Sequence, residues 1–298
     1  MFGRKTIDSL AGQQYSYRPI VWILQNSGEV WGLPLTASSI VRVHTGFDGA
    51  LLKFWSCVMP VRNKGVKPLR DVAKRTKRGR RAYIVPTDRN ANGIVAGESF
   101  LERNHLLLLS LMPGLTRISD QSICVDLENE NLLVSRQDLP KKDGRKAVAY
   151  TADSEIERHD GQIFICESKP SAFLEKHADK HARAERILAT YGKQFITFTE
   201  QKFSPVFISN LENLKKALSP AQKERAAGAC EKVGIALKNR KRWPTLELKE
   251  SGALSNADIF FGLAYGVLSA DLSENVFSGD GWVNAAHGSL DHLKLMDI

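Results

Sequence analysis

The residues able to do chemistry gather at two places in this chain. One is Ala152-Asp153 followed by Glu167-Ser168-Lys169; the other, about fifty residues earlier, is Glu98-Ser99-Phe100-Leu101-Glu102 at the head of an apolar run. Carboxylates collected at one point make a hard-oxygen site for Mg²⁺ or Mn²⁺. A lysine just beyond the last of them can hold or deprotonate a water beside the ion. Phosphodiester hydrolysis requires that combination.

Local patterns must bring these groups together. Lys146 to Tyr150 is a basic-apolar stretch leading to Asp153, Asp160-Gly161 is a hairpin-turn signal, and Gln162 to Lys169 reads as a buried strand ended by Pro170. A hairpin turning there sets Asp153 opposite roughly residue 168, at the level of Glu167 and Lys169. In a strand Glu167 and Lys169 share one face and Ser168 points away. A helix supplies the third carboxylate. Ser99 reads as its N-cap and Glu102 falls at N3 as in a capping box; Leu101, Leu106, Leu108, Leu109 and Met112 follow until Pro113-Gly114 stops the helix.

Taken singly, each residue has an ordinary structural reading: Asp153 as a turn residue, Glu167 and Lys169 as a solvated pair, Glu102 as a cap and nothing more. Glu167 and Lys169 fit that reading least, because they close the run Ile163-Phe164-Ile165-Cys166. Charges at the end of a buried strand mark sites.

The ordered series resembles the PD-(D/E)XK nuclease pattern of a helix glutamate, an aspartate, and Glu-x-Lys on a hairpin. Its surroundings are similar to the TnsA branch, the endonuclease subunits of certain bacterial heteromeric transposases. The resemblance runs from about Arg75 to the C-terminus. It is carried by Arg75 to Arg81, Glu98 to Asn104, Gln121, Tyr150 to Asp153, Glu167 to Pro170, Arg183 to Tyr191, Phe195 to Glu200 and Asn210-Leu211. It implies that Glu102, Asp153 and Glu167 bind catalytic Mg²⁺ or Mn²⁺ and that Lys169 positions the nucleophilic water. Glu98, four residues from Glu102 on the expected helix face, is the alternative ligand; Glu102 is preferred because it lies nineteen residues before Gln121, as in the family. Gln121 is either an accessory active-site residue or a polar turn residue. One departure is that relatives often carry Pro-Asp-Phe where this chain has Ala152-Asp153-Ser154.

Composition agrees with a globular enzyme. Of 298 residues, 43% are hydrophobic and 25% charged, and a formal net charge of +9 suits a polyanionic partner such as double-stranded DNA. Cys57, Cys124, Cys166 and Cys230 are scattered without a Cys-x-x-Cys pair, so neither disulfides nor structural zinc are expected. No signal peptide or membrane span is read, which leads to the expectation of a cytoplasmic protein, bacterial or phage-associated.

The expected class is mixed α/β, with a restriction-endonuclease-like core: a central mixed sheet flanked by helices over 71–217. Residues 1–70, with strand-like runs at Ile20 to Leu24 and Leu51 to Trp55, read as a small β-rich module. Between Arg62 and Arg81 lie ten Lys or Arg against one acid, Asp71; Lys74, Arg75, Lys77, Arg78, Arg80 and Arg81 are the candidate DNA-backbone contacts, where each neutralised phosphate releases counterions. The helix expected from about Ser171 to Tyr191 carries His177 and His181 at a zinc-chelating spacing, but with no third ligand nearby a solvated basic face is expected. From 218 to 298, Ala221 to Leu237 reads as an amphipathic helix, Thr245 to Gly252 and Asn256 to Gly266 as a helix-turn-helix, and Val267 to Leu272 with Val276 to Val283 as a wing. Such a winged-helix domain reads DNA or binds protein, and fold does not decide which.

The resemblance implies partner docking for this domain, with an AAA+ transposition ATPase as the contact. It further implies an endonuclease that cuts the 5′ strands at transposon ends while an integrase-type transposase handles the 3′ strands. The alternatives are a stand-alone nuclease of the same fold in phage defence or DNA repair, and a non-catalytic DNA-binding adaptor. Intact Asp153, Glu167 and Lys169 weigh against the adaptor.

Overall fold

The computed structural model describes residues 82–296, except 134, 135, 143, 238 and 239, together with two short strands nearer the N-terminus. The chain divides into two compact units, Met1–Met59 and Pro60–Ile298. In the first, β1 (Ile20–Leu24) and β2 (Val30–Pro34) pair antiparallel. The expected strand at Leu51 to Trp55 and the basic residues Lys74, Arg75, Lys77, Arg78, Arg80 and Arg81 lie outside the described residues.

The second unit is mixed α and β. Its first described elements are a hairpin of β3 (Tyr83–Pro86) and β4 (Ile94–Gly97), followed by α1 (Phe100–Leu111), β5 (Leu115–Asp120), β6 (Cys124–Asp126) and β7 (Asn131–Leu133). Next come the short pair β8 (Lys141–Lys142) and β9 (Arg145–Lys146), then β10 (Ala149–Thr151), β11 (Ser154–Arg158), β12 (Ile163–Ser168), α2 (Leu174–Thr190), β13 (Lys193–Phe198) and α3 (Pro205–Ala217). The central sheet has the order β13-β12-β11-β5. Its first three strands in sequence form an antiparallel meander, and α2 is the crossover that lets β13 lie parallel to β12. Between β5 and β11 the chain makes an inserted sheet, β10-β6-β7. The basic-apolar stretch before Asp153 therefore pairs with β6, Tyr150 opposite Val125, and only from Ser154 does the chain join the central sheet.

Period-two alternation along β12 divides two cores. Phe164 and Cys166 join the cluster that contains the α1 leucines, while Ile165 joins a second one with Tyr150, Val125 and Leu127 of the inserted-sheet region and Ala184, Ile187 and Leu188 of α2. Both faces of β12 are covered, which is why the strand reads as a nearly continuous apolar run.

Beyond α3 come α4 (Lys223–Ala236), β14 (Arg242–Pro244), α5 (Thr245–Ser251), α6 (Asn256–Ala264), β15 (Leu268–Ser269) and β16 (Trp282–Ala285), with the sheet order β14-β16-β15. The expected strand at Val276 to Val283 is mostly turn, and pairing begins only at Trp282. Ser255 and Asp258 cap α6 reciprocally. From Ile259 to Ala264 every residue of α6 is buried, so the second helix of the helix-turn-helix faces inward. The boundary expected near 217 falls inside this unit, and the main core cluster runs across it from Val85 to Leu293. On α3, Asn210 donates from Nδ2 to the carbonyls of Leu272 and Glu274 at 2.9 and 2.8 Å. Among the described residues no helix is long and apolar enough to cross a membrane.

Candidate active site

α1 begins where Ser99 caps it. The Ser99 hydroxyl oxygen accepts the Glu102 N–H at 3.2 Å, and the Glu102 carboxylate reaches back, Oε2 accepting the Glu98 N–H at 2.7 Å and Oε1 the Ser99 hydroxyl at 2.9 Å. Glu102 thus sits at N3 of a capping arrangement, reaching one residue beyond the cap. Glu98 precedes the cap and lies outside the helix, so the helix face it was expected to share with Glu102 does not exist. Gly97 passes so close that a Cβ there would lie 2.8 Å from Glu102 Cβ.

The hairpin turns at Asp160-Gly161, with Gly161 at φ +82° and the Arg158 N–H bonded to the Gln162 carbonyl at 2.9 Å. Ser154 pairs with Cys166 and Glu157 with Ile163, a register one residue from the expected one, which brings Asp153 to the level of Glu167. There Asp153 Oδ2 accepts the Ser168 N–H at 2.7 Å, and Lys169 Nζ lies 2.9 Å from Glu167 Oε1. The alternation expected for residues 167 to 169 holds. Ser168 Oγ turns to α1 and meets His105 Nδ1 at 2.7 Å, while Glu167 turns the opposite way, toward Tyr150 and α2.

The electrostatics are those of crowded acids in a poorly hydrated place. Although part of Asp153 reaches solvent, its carboxyl is pushed well above the usual carboxylate range, first by burial and then by Glu167 and Glu102; the Ser168 N–H and Lys169 oppose this. Burial likewise raises Glu102, with Glu98 and Glu167 adding and the two capping bonds opposing. For Lys169, burial lowers the pKa, but Glu167, Asp153 and Glu102 outweigh it and the net shift is upward. These mutual effects place Glu102, Asp153, Glu167 and Lys169 in one electrostatic neighbourhood.

Two partners of Glu167 lie at the site without having been expected to contact it. The Tyr150 hydroxyl donates to Glu167 Oε2 at 2.7 Å, and His181 Nε2 lies 3.7 Å from Oε1. His181 is on the helix face expected to be solvated, yet its side chain is only 12% exposed. Its ring packs between Tyr150, His177 and Phe195, because α2 lies against the inserted sheet as well as β13. Burial lowers its pKa, helped by Lys169, His177 and Lys180 and opposed by Glu167. The His177–His181 spacing draws attention to His181 but not to Glu167, and both contacts join segments that only the fold brings together.

Gln121 is buried at the mouth of the insertion, with φ 42°, and its N–H donates to the Asp153 carbonyl at 3.0 Å. Its Oε1 has no hydrogen-bond partner among the described residues. Such a conformation is uncommon for a non-glycine residue and marks a position that its surroundings hold in place.

Among the described residues, no group of three or more His, Cys, Asp or Glu side chains is arranged to hold a metal ion. Glu102 uses both oxygens in the helix cap, and Glu167 meets Tyr150 with one oxygen and Lys169 with the other. No protein-family model and no curated protein matches the chain.

Proposed function

We propose that this chain is a metal-dependent DNA endonuclease that hydrolyses phosphodiesters, working as the TnsA-like subunit of a heteromeric cut-and-paste transposase. The observation that carries the reading is the placement of Asp153, Glu167 and Lys169 at one end of a central hairpin, with Glu102 at the head of α1 close enough to raise the proton affinity of Asp153. Clustered carboxylates of this kind are hard-oxygen donors, a set that fits Mg²⁺ or Mn²⁺. Asp153 and Glu167 would hold the ion, with Glu102, whose carboxylate satisfies the α1 cap, as the third oxygen donor. Bound there, the ion would supply Lewis-acid activation of water and phosphate.

The roles of the chain's own residues follow from their environment. Lys169 keeps its proton, because the acids around it raise its pKa, so it orients water and offsets charge on phosphorus rather than acting as a base. The Ser168 N–H fixes one Asp153 oxygen and leaves Oδ1 for the site. The basic segment Arg62 to Arg81 would hold duplex DNA. The elements from α4 to β16 follow the order of a winged helix, and with α6 turned inward their role is docking to an integrase-type transposase and an AAA+ ATPase rather than reading a groove.

The test is nicking of plasmid DNA by the purified chain in Mg²⁺ or Mn²⁺. Asp153→Ala should abolish it, and Lys169→Ala should keep DNA binding while cleaving poorly, since that ammonium acts mainly in the transition state. Undiminished nicking by Asp153→Ala, in protein shown free of contaminating nuclease, would sink the assignment.

A further inference from the structure

The Glu167 side chain is only 4% exposed, and its two oxygens are held from different parts of the fold. Tyr150 reaches Oε2 from the inserted sheet. Lys169 reaches Oε1 from the end of β12, and His181 approaches the same oxygen from α2. Two further contacts lock the inserted sheet's turn to α2, the Arg183 guanidinium donating to the Leu127 carbonyl at 2.6 Å and Arg186 pairing with Glu130 at 2.5 Å.

Tyr150 is 2% exposed, and its bond to Glu167 fixes the rotation of that carboxylate. With Oε2 on Tyr150 and Oε1 on Lys169, the carboxylate is held in one orientation and its remaining lone pairs point in one direction. Partners of this kind govern how well a ligating carboxylate holds its ion.

We propose that Tyr150, seconded by His181, is a positioning residue that sets the Glu167 carboxylate for a divalent cation, and that holding this tyrosine is what the inserted sheet contributes to the site. This rests on the metal-dependent reading given above. Neither residue touches the ion or the phosphate; both act through Glu167. The insertion thereby becomes part of the catalytic apparatus although none of its residues was among the expected ligands.

The experiment titrates the full-length chain with Mn²⁺ and follows free ion by electron paramagnetic resonance, a readout independent of cleavage. Tyr150→Phe should weaken Mn²⁺ binding by about tenfold or more, the range for partners of metal ligands, with the circular dichroism spectrum unchanged. In a Glu167→Gln background the same change should have no further effect, because the group through which it acts is altered. An equal loss in both backgrounds, or no loss in either, overturns the proposal. If Tyr150→Phe fails to fold, His181→Asn decides the matter: weakened Mn²⁺ binding supports the proposal, and unchanged binding overturns it. Wild-type protein that binds no Mn²⁺ overturns the metal reading and this inference together. Wild-type protein that binds Mn²⁺ alongside an indifferent Tyr150 removes this inference alone.

Discussion

His105 is fully buried, its ring stacked on Phe198 with centroids 3.7 Å apart and its Nδ1 on the Ser168 hydroxyl, while Nε2 has no partner among the described residues. Burial pushes the imidazole pKa down to about 3 from 6.5. The folded state therefore binds this proton later than the unfolded chain as pH falls. The stability tied to neutral His105 is complete above about pH 6.5 and is lost progressively toward about pH 3 at a limiting slope of about 1.4 kcal/mol per pH unit. His105→Gln, which keeps a polar partner for Ser168 and cannot be protonated, should flatten the fall in urea midpoint between pH 7 and pH 4.5. Equal slopes for variant and wild type would show that another group controls acid unfolding. The same residue bears on Asp153, since it steadies the serine whose N–H holds that carboxylate.

The head of α1 combines a cap and a candidate ligand in one side chain. A glutamine at N3 can still reach back to the N-terminal amides, so Glu102→Gln should leave the helix and the melting temperature nearly intact. On the proposed metal reading it should nevertheless lose about a hundredfold in nicking rate, whereas Glu98→Gln, ahead of the cap, should lose much less. The reverse ranking would move the ligand to Glu98. Features written in neighbouring residues were legible beforehand: the Ser99 cap, the stop at Pro113-Gly114, the turn at Asp160-Gly161, and the opposed faces of Glu167 and Ser168. Features that depend on distant pairing were not. Nothing near Tyr150 reveals that β10 leaves the line of β11 to pair with β6, and nothing near His181 reveals that its helix packs against that insertion. The inward turn of α6 was partly visible, because Ile259 to Ala264 contains no charged residue.

Across the whole second unit, one apolar cluster joins α1 and α3 to α4 and α6, and Asn210 bonds the loop that follows β15. A fragment ending at 217 strips Leu211 and Leu214, both fully buried, of the α6 side of that cluster. Removing several such contacts exceeds the usual stability margin of a domain. A 60–298 fragment should therefore melt cooperatively, while 60–217 should not; a cooperative transition in the shorter fragment, seen by calorimetry, would show that the nuclease-like part stands alone. The insertion between β5 and β11 leaves and returns at a single point, where the Gln121 N–H meets the Asp153 carbonyl and the Ala152 N–H meets that of Ile123 at 3.2 Å. That closure has a kinetic consequence. Before β11 can find β5, the chain must surrender the entropy of a long loop, so the strand that delivers Asp153 is expected to register late in folding. On the nuclease reading proposed above, chains caught before that step would carry every acid of the site and none of its geometry, and would stay harmless to DNA until folding is nearly done.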